Sequence, residues 1–510
     1  MTQQLSQKLV LETKVSLEKV TLPEKSQLEM PETILQFGSG ALLRGLVDFF
    51  IDKAQREGSY QGRVVIVNNT RSGRSTRFND QEGLFTLCEE GYEDGETIQK
   101  FTVNAAVSQA LPAADHWQQI LAYADKPEVT TIISNTTEVG ISLQEEDDLQ
   151  ANPPQSYPGK LTAFLHKRFA ALGSSSESGV LILPTELILD NGDKLKSIVN
   201  RLAVINGLES EFTDWVNTHC IFCNTLVDRI VPGEPDEGKY QKIEEQLGYQ
   251  DQLLTVSEVY RLFAVEGPED KLLRKAPWLS VDKGIIISDD ITPYRERKLR
   301  ILNGGHTISV AAGFLSSLET VYDCMQDDVM SRFISQVIYQ EIVPSLDIDQ
   351  QMAKGFASDV LDRFRNPFLN HKLISITLQY TSKMDMRNGL TFKRYYKKEG
   401  KVPTLMCAGF AAYLMFLHPV KQEDNNYYGV FKGQSYPIND DQAAYFYDAW
   451  QGVKTDNAAH ISQFVDKVLG NTKLWSQDLK NLGDFTDQVK QYLTDFAQHG
   501  VKATLAKIVE

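Results

Sequence analysis

The sequence predicts an α/β fold: an N-terminal parallel-sheet domain followed by a mainly α-helical C-terminal domain. Three observations carry that expectation. Short, almost wholly apolar runs recur at residues 34–37, 64–67, 131–134, 180–183 and 285–288, as in strands buried on both faces of a parallel sheet. Helical periodicity fills several of the intervals, for example residues 42–54 and 161–172. After about residue 300 the strand-like runs stop, and long helical stretches follow at 328–342, 408–417 and 458–468.

In chain order, residues 1–30 are polar with mixed charge and end at Pro31, so they read as an extension laid against the surface. Residues 31–290 form the sheet domain and residues 291–510 the helical one. The Gly/Ser patch at 173–179 and the polar stretch at 422–426 read as loops within domains, and no internal repeat is visible. The longest apolar run, 405–417, is too short to span a bilayer and reads as a buried helix. The first ten residues, MTQQLSQKLV, contain no apolar segment of the signal-peptide kind. A cytoplasmic address is expected.

The chain has 510 residues, 42% of them hydrophobic and 24% charged, which suits globular domains with a sizeable core. A formal net charge of −16 speaks against nucleic acid or an anionic membrane as partner, since both need basic surface. An anionic small molecule would need a local cationic pocket. The five cysteines (Cys88, Cys220, Cys223, Cys324, Cys407) are too scattered for a disulfide framework. Cys220 and Cys223 form a single C-x-x-C without further soft ligands, so buried thiols are expected and no metal site.

Gly38-Ser39-Gly40 follows the first strand, ending at Phe37, and opens a helix. In a Rossmann-type domain this is where a dinucleotide turn stands. The first glycine permits the bend, the second lets backbone approach a pyrophosphate, and the helix N-terminus faces its charge. Leu43 occupies the place of the usual third glycine. At the end of the second strand, where a carboxylate usually meets the adenosine ribose, stand Asn68 and Asn69, with Arg71 and Arg74 beyond. Asparagine does not repel a 2′-phosphate and arginine can pair with one, so these residues leave the choice between NAD and NADP open.

The segment from Asp289 to Thr307 contains Lys298, Asn303 and His306 at offsets of 0, 5 and 8 residues. If helical from Lys298, it carries all three on a broad common face. Such a lysine can move a proton, the asparagine can donate to a developing alkoxide, and the histidine can hold a substrate oxygen or orient the lysine. Spacing alone fits equally a charged helix start with a hydrogen-bonded core histidine.

The string KLRILNGGH, with its Lys-x4-Asn-x2-His, resembles the signature of the polyol-specific long-chain dehydrogenases, the family of mannitol dehydrogenase and of fructuronate and tagaturonate reductases. Gly38-x-Gly40 with Arg44, Asp228-Arg229-Ile230-x-Pro232 and Arg363-Phe364-x-Asn366-Pro367 resemble further elements of that family. Within it, Ser134-Asn135-Thr136-Thr137-Glu138, Ser156-Tyr157-Pro158 and Pro184-Thr185-Glu186-Leu187 resemble the tagaturonate reductase branch.

The resemblance implies metal-independent hydride transfer between NAD(H) and a sugar acid, D-tagaturonate and D-altronate, in hexuronate breakdown. Lys298 would be the acid/base, with Asn303 and Asn191 as oxyanion donors and His306 beside the hydroxyl. Phe37, Gly38, Ser39, Gly40, Arg44, Asn68, Asn69, Asn135, Thr136 and Glu138 would meet the cofactor. Glu186 and Asp228 would lie near the substrate, and His371, Lys383 and Arg387 would receive its carboxylate. Two alternatives stay open: a family sibling acting on fructuronate/mannonate or mannitol/fructose, and a non-catalytic nucleotide-binding regulator. Oligomeric state is not legible.

Overall fold

The computed structural model of the protein describes residues 3–12, 20–68, 74–137 and 139–509. The chain divides into two compact units, Met1–Gly91 with Ile98–Ile291, and Tyr92–Thr97 with Thr292–Glu510.

Among the described residues the central sheet of the first unit has six strands: β1 (Glu32–Phe37), β2 (Arg63–Asn68), β3 (Val107–Pro112), β4 (Thr131–Ser134), β5 (Leu181–Pro184) and β6 (Ile221–Phe222). All neighbours pair in parallel, and the spatial order is β3-β2-β1-β4-β5-β6. That order reverses direction beside β1, and in open α/β sheets the crevice at such a reversal is where ligands bind. Successive side chains of a strand point to opposite faces, and here both faces are covered. Leu35, Phe37, Val65 and Val67 join one core with Trp117, Phe164 and Leu195. Ile34, Val64 and Ile66 join the other with Val47, Phe50 and Ile51.

The helix after β1 is two pieces, α1 (Ala41–Gly45) and α2 (Val47–Arg56), separated at Leu46, whose φ of −126° and ψ of −68° are not helical. After β4, Ser156 accepts from the Gly159 N–H and so caps α3 (Tyr157–Leu172). After β5 comes α4 (Asn191–Ile205).

The apolar run at 285–288 is a strand, as expected, but of another sheet. It pairs with Leu262–Glu266, which pairs in turn with Thr225–Asp228. The first thirty residues, where described, are knit into the unit: Gln3–Gln4 pairs with Tyr249 and Gln250, Val20–Thr21 with Phe101 and Thr102, and Leu5 is fully buried.

The second unit is mainly helical. Its central helix, Thr404–Phe416, is apolar all round and buried along almost its whole length. It crosses Gly305–Leu315 closely at Gly409, where an added Cβ would stand 2.5 Å from the Ile308 carbonyl oxygen. Strands do not stop at residue 300, contrary to the sequence expectation. Lys421–Glu423, Asn426–Phe431 and Gln434–Ile438 form an antiparallel meander. Its first strand is exposed throughout and its tight turns sit at positive φ on Asp424 and on Lys432-Gly433, so apolar alternation is missing where the meander begins. Among the described residues three segments are π-helical: Lys298–Gly304, Val337–Ile342 and Asp385–Gly389. Among the described residues no helix is long and apolar enough to cross a membrane.

Candidate active site

In the first unit the chain leaves β1 through Gly38 at φ +128°. The Gly38 N–H donates to the Val67 carbonyl at 3.1 Å, and the Asn135 N–H to that of Phe37 at 3.0 Å. An added Cβ at Gly38 would lie 2.6 Å from the Asn135 carbonyl oxygen, whereas one at Gly40 would meet nothing nearer than the Asn135 Oδ1 at 3.9 Å. The first glycine is thus required by the turn itself. The second leaves open space beside the backbone.

That space belongs to a cavity of about 660 Å³ lined by Gly38, Ser39, Gly40, Asn68, Asn135 and Thr136, with Arg74 and Tyr157 on its wall. A dinucleotide fits the chemistry of this cradle: a bare backbone at the switch point, amide side chains, and a cation beyond β2. Asn68 donates its amide to the Ser75 hydroxyl. Phe37 is fully buried, its ring 5.0 Å from that of Tyr157. Asn69, Arg71 and Glu138 lie outside the described residues.

The wall between β4 and β5 is held by Glu186. Its carboxylate accepts from the Ser134 hydroxyl at 3.1 Å, the Thr136 N–H at 2.8 Å and the Thr136 hydroxyl at 2.9 Å. Asn135 donates to Thr185 at 3.0 Å. The segments Ser134-Asn135-Thr136 and Thr185-Glu186 are therefore a mutual brace, which is why both sets of residue types are needed.

In the second unit Lys298 and Asn303 lie on the π-helical Lys298–Gly304, and His306 on Gly305–Leu315, which continues it. In a π-helix residue i bonds to i+5, so residues 298 and 303 are one turn apart and share a face more closely than an α-helix would allow. The His306 ring lies against Phe364 at 4.1 Å between centroids and 32° between planes. The His371 ring meets it edge-on at 5.2 Å and 70°. Burial, followed by the charges of His371, Arg363 and Arg387, holds the His306 imidazole well below its ordinary pKa. Burial and Arg363 lower His371 as well. Both imidazoles are therefore neutral at neutral pH, each with one ring nitrogen to donate and one to accept.

Arg387 donates through Nη1 to the Thr307 hydroxyl at 3.0 Å. Lys383, half-buried, donates to the Ile376 carbonyl at 3.2 Å. Arg300 donates to the carbonyls of Met386 and Arg387 at 2.6 and 2.9 Å, and Asn388 donates to that of Gly304 at 3.3 Å. The two π-helical segments are thus tied to each other by backbone acceptors, an unusual use of an arginine that no sequence pattern announces. Phe364 was also not anticipated as a neighbour of His306, although it stands inside the Arg363-Phe364-x-Asn366-Pro367 string. Asn366 Oδ1 in that string accepts from the Phe368 N–H at 3.0 Å and turns the chain towards His371.

The sequence matches the Mannitol dehydrogenase Rossmann domain over residues 32–277 and the Mannitol dehydrogenase C-terminal domain over residues 290–497. It is 36% identical over 479 residues to the altronate oxidoreductase of Bacillus subtilis (strain 168), covering 94% of this chain and 95% of that one. Among solved structures, a D-sorbitol dehydrogenase aligns with a TM-score of 0.78 at 20% identity, over 98% of this chain and 100% of that one. The Pseudomonas fluorescens mannitol 2-dehydrogenase, a complex with NAD and D-mannitol, aligns with a TM-score of 0.66 at 22% identity, over 99% of each chain. The chain belongs to the mannitol dehydrogenase family.

Within this family fold, two of the expected site residues have their polar atoms committed elsewhere. Arg44 is buried and does not line the cavity. Its Nε donates to Thr255 Oγ1 and its Nη1 to the Ser39 carbonyl, each at 2.7 Å, so it braces the glycine turn from behind. Burial lowers its pKa to about 10, the charge of Arg74 adding to this. Asn191 is fully buried at the start of α4. Its amide donates to the Pro184 carbonyl at 3.0 Å and to the Glu186 carbonyl and Thr225 hydroxyl at 3.1 Å each, while its Oδ1 accepts from the Gly192 and Thr225 N–H groups at 2.9 Å. With both amide hydrogens spent, it has none for an oxyanion.

Asp228 is buried at the end of Thr225–Asp228. The arginine after it explains the rest of that motif. Arg229 donates to the Glu258 carbonyl at 2.8 Å, to the Gly45 carbonyl, and to the Glu89 carboxylate at 2.5 Å, and it lies over the Phe49 ring. Cys220 and Cys223 are buried thiols pushed up to about 12 by burial.

Proposed function

We propose that this family member interconverts D-tagaturonate and D-altronate with NAD(H), in the cytoplasm. The observation that carries the reading is the full-length similarity to altronate oxidoreductase, at 36% identity over 94% of the chain. The cationic ground around His306, with Arg363 and Arg387 acting on it, is what an acidic chain needs in order to take up a sugar acid.

Gly38, Ser39, Gly40, Asn68, Asn135 and Thr136 would hold the dinucleotide, which supplies or removes the hydride when bound. In the reducing direction Lys298 gives a proton to the nascent alkoxide oxygen, and in the oxidising direction it takes the hydroxyl proton. The side-chain amide of Asn303, one π-turn along, donates to the same oxygen. The neutral imidazole of His306, fixed by Phe364, holds the hydroxyl in line. Each such donor contributes on the order of 3 kcal/mol in the transition state. Asn191 drops out as a donor and becomes the pin of α4, while Glu186 sets the shape of the cavity wall.

The test is oxidation of NADH and of NADPH in the presence of tagaturonate, fructuronate or fructose, with Lys298→Met alongside. Tagaturonate reduction by wild type, abolished in the variant, is expected. Preference for fructuronate or fructose would overturn the substrate, and an active Lys298→Met would overturn the acid/base role. Turnover with NADPH equal to that with NADH would make Arg74 a phosphate partner.

A further inference from the structure

The glycine turn at the dinucleotide cavity is held from the protein side by two side chains. Arg44 Nη1 donates to the Ser39 carbonyl at 2.7 Å, and Gln36 Nε2 donates to the Gly38 carbonyl at 3.3 Å. The same Gln36 Nε2 reaches Asp48 Oδ2, on the second residue of α2, at 3.5 Å. Gln36 and Asp48 are both fully buried.

This second contact is chemically incomplete. Asp48 Oδ1 and Gln36 Oε1 are shut off from water, and neither has a hydrogen-bond partner. Such atoms in a native protein call for an explanation. An ionised carboxyl offers only acceptors, and so does an amide oxygen, so an ionised pair leaves both atoms unanswered. A protonated carboxyl is a donor, and one hydrogen then serves two oxygens.

Asp52, one turn further along α2 and also buried, shows the other solution. Arg56 Nε donates to its Oδ2 at 2.6 Å and the Ala105 N–H to its Oδ1 at 2.9 Å. Among the described residues no cation is bonded to Asp48. Burial is the largest influence on its carboxyl and raises it to about 7, while the Gln36 amide and the Arg44 charge lower it and the Asp52 charge raises it. From the strand Glu96–Asn104, the uncharged Asn104 donates to the Asp48 backbone carbonyl at 2.9 Å.

We propose that Gln36 and Asp48 are positioning residues for the glycine turn, that Asp48 acts as the neutral acid, and that dinucleotide binding is therefore coupled to proton uptake by a carboxyl the dinucleotide never touches. The inference rests on the dinucleotide reading of this turn. A negative charge enclosed behind the turn would act on an anionic pyrophosphate with little screening. It would also leave Gln36 bonded to the charge rather than shared with Gly38. Binding and protonation favour each other by the same factor. Asp48 holds its proton more tightly in the complex than in the free protein, so affinity is full below about pH 6 and falls as pH rises through about 7.

The experiment is calorimetric titration of NAD, which needs no turnover, into wild type, Asp48→Asn and Gln36→Leu between about pH 6 and about pH 9, a range over which the pyrophosphate stays ionised. If binding moves the midpoint of Asp48 from about 7 to about 8, wild type binds about tenfold more weakly at the alkaline end. At about pH 7.5, buffers of different ionisation enthalpy should report uptake of about half a proton per NAD. Asp48→Asn, a permanently neutral donor, is expected to bind at the alkaline end as tightly as wild type does at the acidic end, with no proton uptake. Gln36→Leu cuts the link to Gly38 and is expected to bind weakly at both ends, with little pH step.

A wild-type affinity that is flat across this range, or an Asp48→Asn protein that keeps the step and the proton uptake, overturns the inference. Should Gln36→Leu fail to fold, Asp48→Asn decides alone. Folded wild type that binds no NAD at any pH overturns the dinucleotide reading of the turn itself.

Discussion

Gly38 and Gly40 look alike in a motif but answer to different constraints, and substitution separates them. Alanine at 38 must adopt φ +128° and push its Cβ into the Asn135 carbonyl 2.6 Å away. A loss of about 1–3 kcal/mol is expected, read as a lower midpoint in denaturant together with weaker dinucleotide binding. Alanine at 40 meets only an ordinary contact at 3.9 Å, so its midpoint should hold while dinucleotide affinity falls. A Gly40→Ala protein that binds cofactor normally would show that the backbone there is not approached. At this scale the sequence is legible wherever residue type is dictated by the backbone. It misleads where a side chain has several partners to choose from. The family resemblance implies ligand contacts for Asn191 and Arg44, yet their hydrogen bonds hold α4 and the glycine turn. Nothing in a linear string tells a polar group facing a cavity from one facing the wall behind it.

Two elements carry titrating groups whose effects on stability run in opposite directions. Asp48, at the start of α2, is fully buried, and burial raises its carboxyl to about 7. Its Oδ1 and the Oε1 of Gln36 both lack partners, with Gln36 Nε2 donating to Asp48 Oδ2 at 3.5 Å. The folded pKa lies above the unfolded one, so this contribution is complete below about pH 4 and is lost as pH rises through 7. Asp48→Asn should therefore stabilise by about 2 kcal/mol at pH 8 and by almost nothing at pH 4, as calorimetry at the two pH values would show.

His418, just past Thr404–Phe416, stacks on Trp450 at 4.2 Å and is held down at about 4 by burial. Its contribution is present above about pH 6.5 and is lost as pH falls towards 4. His418→Gln should recover about 2 kcal/mol at pH 4 relative to its effect at pH 8. The opposite pH trend in either variant would mean that the group is solvated. Elements as such were well predicted where apolar period was strong: residues 131–134 and 285–288 are strands at those bounds. The meander after residue 420 and the π-helical turns escape the sequence reading, the first because its opening strand is polar and exposed, the second because helical period cannot distinguish i+4 from i+5 bonding.

For the molecule as a whole, electrostatics acts on two length scales. The net charge of −16 repels an anionic sugar acid at long range, whereas a half-buried cation such as Arg387 would act only within hydrogen-bonding distance. Salt separates them, because exposed charges are screened beyond about 10 Å at 0.1 M while partly buried pairs are screened much less. Raising ionic strength from about 0.01 to 0.1 M, a range over which the screening length falls from about 30 to 10 Å, should lower KM for the acid by weakening the repulsion. KM for the neutral ketohexose should stay flat. In Arg387→Gln the downward trend should persist from a higher starting KM, since the substitution removes the local partner and leaves the global field nearly unchanged. A KM for the acid that instead rises with salt in wild type and becomes flat in Arg387→Gln would mean that the cationic pocket dominates at both scales, and that its field reaches well beyond its own contacts.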